Sequence, residues 1–296
     1  MKRLKFLAAC AIVLMVAACS KSDAPELAPA DPADSVGVDS VDVTFEVRPD
    51  GWTITREPIR TRGLDADGKA MTDIWVLDYV ADTLYQQKHQ SSTDDDFGTV
   101  AMTLPVGTHH IYFVASRGSG ASLDTDAHTL SFTKVLDTFY KDLALNVQAS
   151  TNGAQAVNLD RVVTKLKLQF TDEIPATAAS FNVVPDTWYY GIDYLTGEPA
   201  AAATSQKTTI TIPASSIGKT GEYLNLFGFS SATEWTTDVA FDCEKSDATV
   251  LGAATISSAK FKRNRVSAYS GPLFSSNGAM TLSLNTEWDT ELTGTW

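Results

Sequence analysis

The side chain most clearly set up for chemistry in this 296-residue sequence is the thiol of Cys19, directly behind Val16-Ala17-Ala18. Of the other two cysteines, Cys10 lies in the apolar run that reads below as a removed leader, and with Cys19 taken up by lipid Cys243 stands alone, so no intrachain disulfide is expected. Cys243 has only Lys245 nearby to lower its pKa and reads as a small buried hydrophobe in a strand. The four histidines, His89, His109, His110 and His128, form no metal-ligand pattern. His109 and His110, being adjacent in an extended segment, face opposite ways and read as ordinary strand residues. Gly228-Phe-Ser-Ser-Ala232 lacks the second glycine of a nucleophile elbow. Arg117-Gly-Ser-Gly120 lacks the Lys-Ser/Thr pair of a phosphate loop. Neither a metal, a cofactor nor a catalytic residue is expected, and an enzymatic role is not the reading this sequence supports.

Cys19 must be presented by what surrounds it. Lys2, Arg3 and Lys5 form a basic head, followed by an unbroken apolar or small run from Phe6 to Ala18. That run is short for a membrane-spanning helix and suits the core of a secretory signal. The arrangement resembles a bacterial lipoprotein signal, which implies residues 1–18 as the signal, cleavage between Ala18 and Cys19, and acyl chains on Cys19. One acyl chain binds a bilayer reversibly, at about 0.8 kcal/mol per buried methylene, whereas two or three hold firmly. The expected location is the outer membrane, lipid-anchored and surface-exposed, with Asp23 and Glu26 as the acids that follow the lipid site.

Residues 19–40, rich in Ala, Pro, Asp and Ser, bury too little apolar surface to offset ordering and read as a flexible acidic tether. The whole chain carries 23 basic and 36 acidic residues; without Lys2, Arg3 and Lys5 the balance is 20 against 36, a net of −16. Such a surface repels a phosphate backbone, so nucleic acid is excluded as a partner.

The remainder is read as strands. Val41 to Val47 alternates apolar and polar, with Val41, Val43, Phe45 and Val47 on one face. Pro49-Asp50-Gly51 turns, and Asp65-Ala66-Asp67-Gly68 reads as a hairpin loop lacking the ligands of a calcium site. Ile74 to Val80 is nearly all apolar, as in a strand buried on both faces. Asp94 to Asp96 reads as a solvated loop between strands, and Thr99 to Leu104 and His110 to Ala115 are strands. Leu136, Phe139, Tyr140 and Leu143 have helical spacing, predicting one short helix between Thr129 and Asp142. Ala149 to Ala154 is the best composition break, placing domains at 41–152 and 153–296. Strands follow over Val163–Phe170, Thr208–Ile212, Tyr223–Phe229, Thr236–Cys243 and Ala259–Phe261. The last alternating run holds Met280, Leu282 and Leu284 and ends near Trp288. Many short strands with regular turns predict an all-β protein of β-sandwiches. The neighbours Trp188, Tyr189 and Tyr190 could instead stack on sugar rings, giving a surface glycan-binding module as the alternative.

Four segments together resemble the fimbrillin-type proteins of oral and gut anaerobes, in particular the lipoprotein subunits that anchor or accompany type V fimbriae. They are Asp73-Ile-Trp-Val-Leu-Asp-Tyr79, Leu159-Asp-Arg-Val-Val-Thr-Lys-Leu-Lys-Leu-Gln-Phe170, Phe261-Lys-Arg-Asn-Arg-Val-Ser-Ala-Tyr-Ser-Gly-Pro-Leu-Phe274 and Leu284-Asn-Thr-Glu-Trp288. The resemblance implies two transthyretin-like β-sandwich domains in series and other fimbrial subunits as partners through strand exchange. It also implies cleavage after an arginine in stalk subunits, for which Arg60 and Arg62 are the candidates, while an anchor would keep that bond intact. Val41–Val47 and Met280–Trp288 are the candidate exchanged strands. A host or bacterial surface ligand is not identified by the sequence.

Overall fold

The computed structural model describes residues 40–49, 71–151 and 153–275, and the backbone of 281–285. The leader, Ala18, Cys19, the tether up to residue 39, the 65–68 loop, Arg60, Arg62, Met280 and Trp288 lie outside the described residues, whereas Ser40, the last tether residue, is the first of a strand.

The first described elements are β1 (Ser40–Pro49), β2 (Asp73–Val80), β3 (Thr83–Ser91), β4 (Thr99–Pro105) and β5 (Gly107–Ser116). A hairpin of β6 (Ser119–Asp124) and β7 (Thr129–Lys134) precedes β8 (Thr138–Val147) and β9 (Ala154–Arg161). Then come β10 (Val163–Phe170), β11 (Ser180–Pro185) and a second hairpin, β12 (Thr187–Asp193) with β13 (Glu198–Thr204). The rest is β14 (Thr208–Thr211), one 3-10 turn at Ala214–Ser216, β15 (Tyr223–Phe229), β16 (Trp235–Glu244), β17 (Val250–Phe261), β18 (Val266–Gly271) and β19 (Thr281–Asn285). The protein is all-β.

Seven strands recur in one order. In the first half, β3-β2-β5-β8 forms one layer and β4-β1-β9 the other, joined by two residue pairs between β8 and β9. In the second half, β14-β11-β16-β17 and β15-β10-β18 repeat both layers, with β19 added outside β18. Even the directions match: β1 is antiparallel to β4 and parallel to β9, and β10 is antiparallel to β15 and parallel to β18. The hairpins are inserted at different points of the repeat, and they pair with each other through β7 and β12 into a fourth sheet, β13-β12-β7-β6. The composition break at 149–154 is the turn before β9. Because β9 pairs with β1, the first sandwich continues to Arg161 and the chain crosses to the second at Val162.

The fourth sheet explains the apolar run in β2. Ile74 and Val76 face the interior of the first sandwich with Ile111, Phe113 and Phe45. Trp75, Leu77 and Tyr79 face the other way, onto Leu130, Phe132, Ile192 and Tyr194. The same double burial overturns the predicted helix between Thr129 and Asp142, which is β7, a short connection and β8. Phe139 of β8 belongs to one core and Tyr140 to the other, so adjacent residues are both apolar. A strand packed on both faces thus mimics the spacing of an amphipathic helix.

Candidate functional site

β1 sits in a slot. Its alternation follows from half its residues facing the core: Val43, Phe45 and Val47 are buried, Phe45 completely. The ring of Phe45 meets that of Phe113 edge-on at 5.3 Å, across the sandwich. Val100, Met102 and Leu104 of β4 and Val157 and Leu159 of β9 flank it. Each buried β1 side chain contributes about 1.5–3 kcal/mol relative to exposure. Backbone ladders run on both sides, from Ser40↔Pro105 to Glu46↔Thr99 and from Thr44↔Ala154 to Pro49↔Leu159. Thr103 donates to Asp42 at 2.7 Å and Arg48 to Asn158 at 3.1 Å, fixing the register at each rim. Removing β1 would leave a one-strand gap between β4 and β9. Val41, the fourth predicted contact, packs against this core at its edge.

β19 is placed differently. It pairs with β18 alone, from Ser270↔Thr281 to Val266↔Asn285, which sets Leu282 opposite Tyr269 and Leu284 opposite Ser267. Among the described strands it has one neighbour where β1 has two. The chain leaving β18 is held by the carboxylate of Asp172, which accepts from the backbone N–H groups of Leu273, Phe274 and Ser275 at 2.6–3.1 Å.

Two features invite a chemical reading. Asp78 and His109 are both fully buried, with Nδ1 of His109 2.8 Å from Asp78 Oδ1 and Nε2 2.8 Å from the carbonyl of Pro105. Solvent does not reach the pair, so it ties β2 to β5 and has no access to a substrate. Reading His109 as an ordinary strand residue missed this contact; the signal was Asp78, a lone acid inside a doubly buried run that must find a partner. The second feature is a cavity of about 400 Å³ lined by Tyr79, Asp82, Thr108, His110, Tyr112 and Leu195. Its rim includes the two-residue turn Ala81-Asp82, both left-handed at φ 46° and 62°, a conformation that costs a non-glycine residue energy. Burial, then the Asp142 carboxylate, pushes the Tyr112 phenol up.

The aromatic trio is no open platform. Trp188 is buried against Phe261 at 5.0 Å and donates its indole N–H to the carbonyl of Phe227 at 2.9 Å. A Cβ on Gly228 would lie 2.5 Å from that indole, which is why β15 carries glycine there. Tyr190 is buried and Tyr189 packs edge-on against Trp235. Cys243 is fully buried, and burial pushes its thiol up to about 11. Among the described residues, no group of three or more His, Cys, Asp or Glu could hold a metal ion.

No family model and no curated protein matches the chain. Solved structures do. A candidate adhesin of Bacteroides ovatus is 11% identical, covers 86% of this chain and 96% of its own, and superposes with a TM-score of 0.49. The tip fimbrial protein Mfa3 from Porphyromonas gingivalis is 13% identical, covering 84% and 100%, at 0.44. A fimbrial assembly protein from Parabacteroides distasonis is 12% identical, covering 83% and 96%, at 0.45.

Proposed function

We propose that this chain is a non-enzymatic structural subunit of fimbriae, an anchor or accessory piece that supports adhesion. In this reading Cys19 carries the lipid that holds it at the outer membrane, and neighbouring subunits join it by exchanging strands. The observation that carries the proposal is the seat of β1: an interior strand, bonded on both sides and filling a core, joined to β2 through residues 50–72. That connection contains Arg60 and Arg62: a cut there, as in a stalk or tip subunit, would part the body from Cys19 and leave β1 held by noncovalent contacts alone, whereas an anchor keeps the bond and β1 stays seated. An extended segment with alternating apolar residues satisfies the same ladders and pockets as β1. β19, held by one ladder at a sheet edge, is suited to leave its own domain and supply such a segment.

The test is mass mapping of the N-terminus of protein from native membranes, paired with electrophoresis without heating. An N-terminus at acylated Cys19, with a heat-sensitive ladder of polymers, is the expected result for an anchor. A start at Thr61 or Gly63 would make it a cleaved stalk or tip subunit. A monomer under all conditions, or membrane retention of Cys19→Ser, would overturn the proposal.

A second reading, glycan binding at the surface, is favoured by the cavity at Tyr112 rather than by the Trp188 cluster. A tyrosine face with Asp82, Thr108 and His110 around it offers a sugar ring one stacking surface and several hydrogen-bonding groups. Retention on immobilised polysaccharide that is lost in Tyr112→Ala would support it.

A further inference from the structure

We infer that Gln86, Lys88 and Gln90 of β3 form a side-chain clasp that keeps β4 in register while the β1 slot is empty, and thereby set where an incoming strand docks. This rests on the strand-exchange reading above. β4 has one ladder, with β1, and is otherwise the end of its sheet. When β1 leaves, β4 loses every ladder bond it has, and a strand without one has nothing to hold it extended beyond its core side chains, Val100, Met102 and Leu104. Yet an accepting slot needs β4 in place, because β4 is one of its two walls.

The outer edge of β4 supplies the missing hold. Gln86 Nε2 donates to the carbonyl of Thr103 at 2.9 Å, Lys88 Nζ to that of Ala101 at 2.9 Å, and Gln90 Nε2 to that of Thr99 at 3.0 Å. Gln90 Oε1 also accepts from the backbone N–H of Gly98 at 3.1 Å. Every second residue of β3 thus meets every second carbonyl of β4, a ladder built from side chains across the open end of the sandwich. None of these bonds involves β1, so all of them survive its departure. They also occupy the carbonyls that a strand adding to the outside of β4 would need, which leaves the slot as the open position.

The second half of the molecule supports this assignment. β10, the counterpart of β1, is continuous with β9 through Val162 and cannot be released. There β14, the counterpart of β3, has 4 residues where β3 has 9. The long, amide-rich strand occurs in the half whose middle strand can leave.

The experiment uses the full mature chain, nicked after Arg60 or Arg62 by an arginine-specific protease, and a fluorescent synthetic peptide of residues 40–49 as the probe. Wild-type protein should take up the peptide in place of its own β1. The variant Gln86→Thr/Lys88→Thr removes two clasp bonds, keeps strand-forming residues and spares the buried Gln90. It should fold cooperatively before nicking with a modestly lowered unfolding midpoint, take up peptide about tenfold less because β4 of the emptied protein must be re-ordered by the incoming strand, and show faster amide exchange across 99–105 but not across β2 or β5. Equal uptake and equal protection of β4 in the two proteins would overturn the clasp while leaving strand exchange standing. No uptake by the wild type would instead remove the strand-exchange reading, and the clasp with it. Should the double variant fail to fold, Lys88→Met, which keeps the stem and drops the donor, carries the same comparison with a smaller expected loss.

Discussion

β1 and β10 occupy equivalent places in the two sandwiches, each between an antiparallel and a parallel neighbour. β10 carries Leu166, Leu168 and Phe170 into its core much as β1 carries Val43, Phe45 and Val47. Covalent context separates them: β10 follows β9 after a single residue, whereas β1 is joined to β2 by the long stretch 50–72. At the far flank the contrast reverses. The second sandwich has an added strand, β19, beyond β18, while β9 is met at the equivalent flank by two pairs with β8. One half holds an interior strand joined to the next by a long connection, and the other presents a strand at its edge among the described strands. A repeated architecture acquires polarity from where the chain enters and leaves it.

The comparison breaks first at Phe45. Phe45→Ala should destabilise the protein by about 3–5 kcal/mol, because a fully buried ring is lost from a packed core. Urea unfolding measures this, and a loss near zero would mean that β1 does not fill the first sandwich. Gly228→Ala tests the second half, where the added methyl would press on the Trp188 indole; about 1–3 kcal/mol is expected, with a change in tryptophan fluorescence. Asp172→Ala should cost less, about 1 kcal/mol, but speed amide exchange at 273–275 and along β19 selectively. Uniform exchange across the second sandwich would argue against a separately releasable β19.

The smallest effect is alkaline. Burial, then Asp242 and Glu244, raise the Cys243 thiol from its ordinary 9.0 to about 11. Below about pH 8 the thiol is neutral whether folded or unfolded and contributes no pH dependence. Between there and about pH 11 the unfolded chain ionises while the folded one keeps its proton, so stability falls as pH rises. Cys243→Ala should flatten that branch in denaturation curves taken at successive pH values, with the pH slope near neutrality unchanged.

Strand existence was largely legible from local pattern. Val41–Val47 and Val163–Phe170 alternate because one face of each is buried, and Ile74–Val80 is apolar except for Asp78 because two layers cover it. The predicted helix failed for the same reason that β2 was read correctly: at Phe139 and Tyr140 two cores meet on one strand, and spacing alone does not distinguish that from a helical face. Trp188 looked available because adjacent aromatics carry no record of depth, and Gly228, the residue that admits its indole, lies on another strand.

By itself the sequence determined the acidic balance and which segments alternate, since these depend on composition and on a strand's period of two. Only the tertiary structure decided which alternating segment is interior and which is an edge, and that β3 reaches around to β4. A strand's ladder partners come from distant parts of the chain, and no local pattern encodes which of them arrives on either side.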